Sequence, residues 1–232
     1  VKRQKMDTYR TQKRGGRGVS GMSRREEDVA TEMFVINSHD YVMFFSSTGR
    51  VYRLKCYEIP EGSRTSRGMN IKNLLPLQPE EKISSMIRVT EFDEDRYLVM
   101  VTKNGVIKRT KLSAYDTARK GGLIAIDLDE GDDLSWVRVT SGHDDLLVAT
   151  KKGMAIRFHE TDIRELSRTA RGVRVMKLQE GGRVVTLARA PHEEDEVDAV
   201  EVEDDGTADE GEDLPEEPET FSQEEGEDST EE

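Results

Sequence analysis

Three times along this chain a short apolar run is cut by a turn ending in glycine and followed by a second strand-like stretch. The copies are Tyr41-Val-Met-Phe-Phe-Ser-Ser-Thr-Gly49 before Arg50-Val-Tyr-Arg-Leu54, Tyr97-Leu-Val-Met-Val-Thr-Lys-Asn-Gly105 before Val106-Ile-Lys-Arg-Thr110, and Leu146-Leu-Val-Ala-Thr-Lys-Lys-Gly153 before Met154-Ala-Ile-Arg-Phe158. Runs of this length rich in β-branched and aromatic residues predict β-hairpins, and Asn104-Gly105 is the strongest local signal for one. In Val51-Tyr-Arg-Leu-Lys-Cys56 the alternation puts Val51, Arg53 and Lys55 on one face and Tyr52, Leu54 and Cys56 on the other, and assigns the second set to the core. Helix periodicity is weak throughout. The best stretch, Ser23-Arg-Arg-Glu-Glu-Asp28, predicts a turn or two at most.

Self-similarity then orders these hairpins. Setting Ile107 on Val1 aligns Ile107–Tyr115 with Val1–Tyr9, so the first copy lacks the opening strand that the others have. A second glycine follows each hairpin turn: Gly68 after Gly49, Gly122 after Gly105 and Gly172 after Gly153, with Gly18 as the equivalent in the first copy. After it come an apolar strand and a polar turn, as in Leu123–Gly131 and Val173–Gly181. A period of about 50 residues with roughly four strands per unit predicts an all-β, propeller-like array. Sandwiches also hold many short strands but do not usually repeat their own sequence. The expected organisation is a partial first blade over 1–28, about three blades over 29–191, and an acidic tail over 192–232.

Charge separates the last part from the rest. The chain has 35 Lys and Arg against 48 Asp and Glu, a net charge of −13, yet residues 193–232 hold 22 of the acids and no base. The body therefore carries about +9, which fits a nucleic-acid partner that the overall balance would argue against. The tail, with few apolar side chains and prolines at 215 and 218, cannot bury enough surface to offset the entropy of ordering and is expected to be disordered. Tethered beside a basic body, it is expected either to compete for the body's nucleic-acid surface or to serve as a plain solubilising tail. No apolar run approaches the roughly 20 residues of a membrane span, and there is no signal pattern, so a soluble intracellular protein without membrane contact is expected. The lone cysteine, Cys56, sits where a small buried hydrophobe fits, and His39, His143, His159 and His192 show no ligand spacing, so no metal site is expected.

The candidate binding residues begin with Gln12-Lys13-Arg14-Gly15-Gly16-Arg17-Gly18. Three fixed charges interleaved with three residues lacking a side chain let a loop bring its backbone against a phosphate, while arginine adds a planar fork matched to phosphate oxygens. A flexible basic linker has a similar composition. The heptad resembles, at all seven positions, the GyrA box that marks the C-terminal domain of DNA gyrase A proteins. The resemblance extends over most of residues 1–191, through Phe45-Ser-Ser-Thr-Gly-Arg-Val-Tyr52 and Ser63-Arg-Thr-Ser-Arg-Gly68.

That resemblance implies a β-pinwheel whose neighbouring blades exchange a strand. Domains of this kind usually have six blades, against about three and a half here, so either the array is a piece or material is missing within it. It further implies a domain that wraps double-stranded DNA for the N-terminal cleavage part of gyrase A, while gyrase B supplies ATP and Mg2+ chemistry, so no cofactor is expected in this chain. The setting would be cytoplasmic and chromosome-associated. The similar domain of topoisomerase IV has a degraded box, and the intact heptad favours gyrase.

Further basic residues recur before each glycine marker: Arg64 and Arg67, Arg119 and Lys120, Arg168 and Arg171. Repetition would set Arg64, Arg67, Arg168 and Arg171 along a common rim for phosphate contact, although each could instead pair with an acid of the next blade. Backbone contact along a curve binds by charge and DNA bendability, with weak sequence preference. Catalysis by this chain is not expected. The tyrosines are repeat positions, Tyr9-Arg10 included since it aligns with Tyr115-Asp116, and no Gly-x-x-x-x-Gly-Lys-Ser/Thr loop is present. A propeller-like module whose basic loops bind an acidic protein is the alternative of a different class.

Overall fold

The computed structural model describes residues 1–23, 29–119 and 121–192. The acidic stretch 193–232, Lys120 and all but the first residue of Ser23–Asp28 lie outside the described residues. Eleven strands are described: β1 Tyr41–Ser46, β2 Arg50–Lys55, β3 Ile83–Val89, β4 Tyr97–Thr102, β5 Val106–Lys111, β6 Leu123–Ile124, β7 Leu134–Thr140, β8 Asp144–Thr150, β9 Ala155–His159, β10 Val173–Arg174 and β11 Val184–Pro191. Helical structure among these residues is confined to short 3-10 turns, including one directly after β2 at Cys56–Glu58, one after β5 at Leu112–Tyr115 and one at Ile71–Asn73. The all-β reading of the repeats is therefore correct.

The expected hairpins are β1–β2, β4–β5 and β8–β9. Each turns where a glycine N–H donates back to the end of the first strand: Gly49 to Ser46 O, Gly105 to Thr102 O and Gly153 to Thr150 O. The registers are equivalent, with Tyr41 opposite Lys55 and Tyr97 opposite Lys111. A third strand flanks the first of each pair, and each pairing slips register once, between Phe45 and Ser46, Val101 and Thr102, or Val184 and Thr186. The fourth strand comes from further along the chain. The short β6 pairs with β2, and β10 pairs with β5, giving the orders β3-β1-β2-β6 and β10-β5-β4-β7; the third sheet is β11-β8-β9. A segment delivered after one hairpin thus completes the sheet of the hairpin before it.

The alternation reading of β2 needs correction. Tyr52 and Cys56 are buried, but so is Val51, while Leu54 is only partly covered. The cause is sheet stacking. Met43, Phe45 and Val51 pack with Leu98, Met100, Leu134 and Val137 between the first and second sheets, whereas Val42, Phe44 and Tyr52 pack on the opposite face with Ile59 and Leu75. β4 divides likewise, sending Leu98 and Met100 one way and Val99 and Val101 to meet Leu146, Val148, Val184 and Leu187 of the third sheet. Strands covered on both faces read as unbroken apolar runs, as Val42–Phe45 and Leu98–Val101 do, and burying each such side chain contributes roughly 1.5–3 kcal/mol. Period-2 patterning is a property of sheets with one wet face.

Candidate nucleic-acid interface

The heptad is built around a tight turn in which the N–H of Gly16 donates to Lys13 O at 3.1 Å, with Arg14 and Gly15 at the corner. Its lead residue closes the loop: the Gln12 side-chain oxygen accepts from the N–H of Gly18 at 3.1 Å. Gly15 and Gly18 take φ of 84° and 66°, where a Cβ is strained. Gly16 is needed for space, since a Cβ there would lie 2.6 Å from Gln12 Oε1. All seven residues are exposed. Lys13, Arg14 and Arg17 have no ion pair among the described residues, so their charges point into solvent around a fixed backbone.

The same turn occurs twice more. Ser66 N–H donates to Ser63 O at 3.0 Å, and Ala170 N–H donates to Ser167 O at 3.1 Å. In Ser63-Arg-Thr-Ser-Arg-Gly68 and Ser167-Arg-Thr-Ala-Arg-Gly172 the burial also matches, the first Arg half-buried and the second exposed. Arg64 and Arg168 are thus equivalent to Arg14, and Arg67 and Arg171 to Arg17. The corner glycine of the heptad is Thr65 or Thr169 in these loops.

The arginines are not equally free. Arg64 donates to Ser20 O at 2.8 Å, just beyond the heptad, and Arg67 is exposed. Arg168 donates to Ile124 O, and Arg171 lies 3.2 Å from Asp127 and 2.8 Å from Asp129 of the preceding repeat. For Arg171 the pairing with an acid of a neighbouring repeat is present. Its side chain is still 57% exposed, as are the acids to a similar degree, so the pairing is worth at most about 1 kcal/mol and is open to exchange.

Two lysines outside the sequence-predicted set hold these loops. Lys2 Nζ donates to Ser63 O, Arg64 O and Ser66 O at 2.9–3.0 Å. Lys108 Nζ, fully buried, donates to Ser167 O at 3.3 Å, Arg168 O at 2.6 Å and Ala170 O at 3.2 Å, and also to Ala125 O. Burial, then the Arg168 cation, push the Lys108 amine down to about 7, with Asp127 pulling the other way. The alignment of Ile107 on Val1 already places Lys108 on Lys2. What the alignment does not carry is that the pair points inward.

Tyr115 and Cys56 are held by packing. Tyr115 is buried with its hydroxyl donating to Ala125 O at 3.3 Å, Tyr9 donates to Gln4 Oε1 at 2.6 Å, and burial pushes the Cys56 thiol up. The fold does gather histidines that sequence spacing left scattered. His159 and His192 rings meet edge to face at 4.5 Å, with Asp145 close enough for the three to offer metal ligands within 4.8 Å of one another. Both Asp145 oxygens are already engaged, one by Arg157 at 2.7 Å and the other by His192 at 2.8 Å. Burial pushes that carboxyl up, but these partners outweigh it and hold it below the usual range.

Stacked antiparallel sheets, two of four strands and one of three among the described residues, with a repeated basic turn define a propeller-type array. The family model described as DNA gyrase C-terminal domain, beta-propeller, matches residues 1–37, 40–90, 96–141 and 144–191, and the chain belongs to that family. The DNA gyrase A protein of Halalkalibacterium halodurans is 52% identical over 174 residues, covering 75% of this chain and 21% of the relative. The chain therefore spans about a fifth of the length of such relatives. A solved DNA gyrase A C-terminal domain superposes with a TM-score of 0.60 at 26% identity, covering 81% of this chain and 60% of that one. The C-terminal domain of DNA topoisomerase IV gives 0.63 at 28% identity, covering 68% and 49%. No helix among the described residues is long and apolar enough to cross a membrane.

Proposed function

We propose that this chain is the DNA-binding and DNA-wrapping C-terminal part of a DNA gyrase A protein. The observation that carries the reading is the exposed Lys13–Gly16 turn. There Lys13, Arg14 and Arg17 stand without an acid beside them among the described residues, on a backbone whose glycines leave room for a phosphate. Gln12, Gly15, Gly16 and Gly18 shape that turn, and Arg64, Arg67, Arg168 and Arg171 repeat its charges along the array. Contact is with the double-stranded backbone, so the array binds by charge and bends DNA along its edge with weak sequence preference. Wrapping in one hand presents a segment to the N-terminal cleavage part of gyrase A, and gyrase B supplies the ATP and Mg2+ chemistry that drives negative supercoiling. The work is done in the cytoplasm, on the chromosome.

The test is the salt dependence of duplex binding by fluorescence anisotropy. If Lys13, Arg14 and Arg17 each neutralise one phosphate, alanine at all three flattens the log-log salt slope by about 2.7. An unchanged slope would show that these three side chains neutralise no phosphate, and loss of duplex binding in the wild type at low salt would move the partner from DNA to an acidic protein.

A further inference from the structure

Each of the two later basic turns is received by a lysine of an earlier segment, Lys2 beside the isolated Arg3–Glu61 bridge and Lys108 in β5, and the receiving residue differs where the loop differs. At the strand position occupied by Lys2 and Lys108 the delivered loops read Ser-Arg-Thr-Ser-Arg-Gly and Ser-Arg-Thr-Ala-Arg-Gly. The equivalent residue of β2 is Tyr52, and the aligned sequence, which ends on the Gly122 that Tyr52 approaches, reads Thr117-Ala-Arg-Lys-Gly-Gly122 instead. Tyr52 turns its hydroxyl to Glu81 at 2.8 Å, and its ring lies where a Cβ on Gly122 would fall, at 2.6 Å. A lysine ammonium can gather several carbonyls because it has three donors and no acceptor; a phenol has one.

The two lysines take the same three carbonyls: the first, second and fourth residues of the turn. Those oxygens tie the turn down by its backbone, and the first arginine of each turn reaches a carbonyl of another segment, Arg64 that of Ser20 and Arg168 that of Ile124. Backbone pairs flank the site in both copies, with Gly62 N–H on Arg3 O at 3.0 Å and Leu166 N–H on Arg109 O at 2.9 Å. These fix the approach of the segment, but the turn itself extends past the ladder, and the lysine is its bracing from inside the sheet.

We propose that Lys2 and Lys108 are positioning residues for DNA contact, each holding a basic turn of the next repeat so that Arg64 and Arg67, or Arg168 and Arg171, face phosphates together. This rests on the DNA reading above and assigns the bracing of its secondary contacts. A buried lysine whose three N–H groups are shared among four main-chain carbonyls has a packing role as well, so the test must separate bracing from general stability. Coupling does so: a bracing effect exists only while the arginines are there to be aimed.

The experiment is a double-mutant cycle on duplex binding and its salt slope, with Lys108→Met, the Arg168→Ala/Arg171→Ala pair, and the combination, each checked for a cooperative melt. The arginine pair should flatten the slope by about 1.8. Lys108→Met alone should flatten it by a similar amount, and adding Lys108→Met to the arginine pair should change nothing further. Additive losses, or an unchanged slope in Lys108→Met, would overturn the inference while leaving the DNA reading intact. No effect of the arginine pair would overturn it as well, by removing the rim contacts themselves. Should Lys108→Met fail to melt cooperatively, the same cycle with Lys2→Met and Arg64→Ala/Arg67→Ala decides, because Lys2 is only partly buried and its loop is equivalent.

Discussion

The Lys13–Gly16 turn and the Ser167–Ala170 turn share a backbone hydrogen bond and a spacing of two basic residues, yet they keep their charges differently. In the first, a glutamine side chain closes the loop, glycines line it, and the cations have no acid beside them among the described residues. In the second, a buried lysine braces the turn from within, Arg168 is on a carbonyl and Arg171 on two aspartates. One motif thus serves twice: with bare charges it is the phosphate contact of the proposed function, and with partnered charges it is also a joint between repeats. Surface pairs of this kind are worth at most about 1 kcal/mol, so the joint does not exclude DNA but makes it compete.

The two turns should differ most when the free one is stripped of its charges. With Lys13, Arg14 and Arg17 replaced by alanine, about 2.7 units of salt slope should disappear, so the roughly forty-fold part of the affinity loss between 50 and 200 mM salt that they carry should vanish. The melt should not move, because all three side chains are exposed. A shift in melting would mean that these charges pack.

The braced turn should instead respond to pH. Native Lys108 gives up its proton near 7, whereas an unfolded lysine keeps it to about 10.5, so between those values the unfolded chain binds more protons and stability rises with pH. Below about 7 both states are charged and the contribution is flat. Melting temperature scanned from pH 6 to 9 should show this rise in wild type and lack it in Lys108→Met; parallel curves would put the titration elsewhere.

Gly16→Ala tests the free turn more gently. Its Cβ meets Gln12 Oε1 at 2.6 Å and must displace the side chain that closes the loop, so DNA binding should weaken, by less than in the triple variant, with stability within about 0.5 kcal/mol of wild type. The smallest effect is expected from Asp127→Ala with Asp129→Ala, which frees Arg171. Binding should tighten by about two- to fivefold at low salt and stability fall by under about 1 kcal/mol. Weaker binding would show that the aspartates hold Arg171 toward DNA rather than away.

Much of this difference is legible in the chain. Hairpin glycines, the repeat and the heptad lie in local sequence, because turns and backbone dihedrals are chosen locally. The burial of Val51 is not, since alternation reports one covered face and stacked sheets have two. Nor is the inward course of Lys108: an ammonium at a core position reads as surface until the four carbonyls that receive it are in place. The pairing of Arg171 with Asp127 and the meeting of His159 with His192 depend on chain-distant neighbours, which spacing does not encode. The repeat carries the clue to Lys2 and Lys108 nonetheless, by placing the same residue before two nearly identical loops.

The central claim, that these loops wrap DNA in one hand, is tested most directly by topology footprinting. A nicked plasmid is bound by the protein and ligated, and its linking number is read after deproteinisation. A shift of one sign that grows with protein and vanishes when Lys13, Arg14 and Arg17 are alanine is the predicted result. DNA that binds but closes with the linking number of naked plasmid would contradict it.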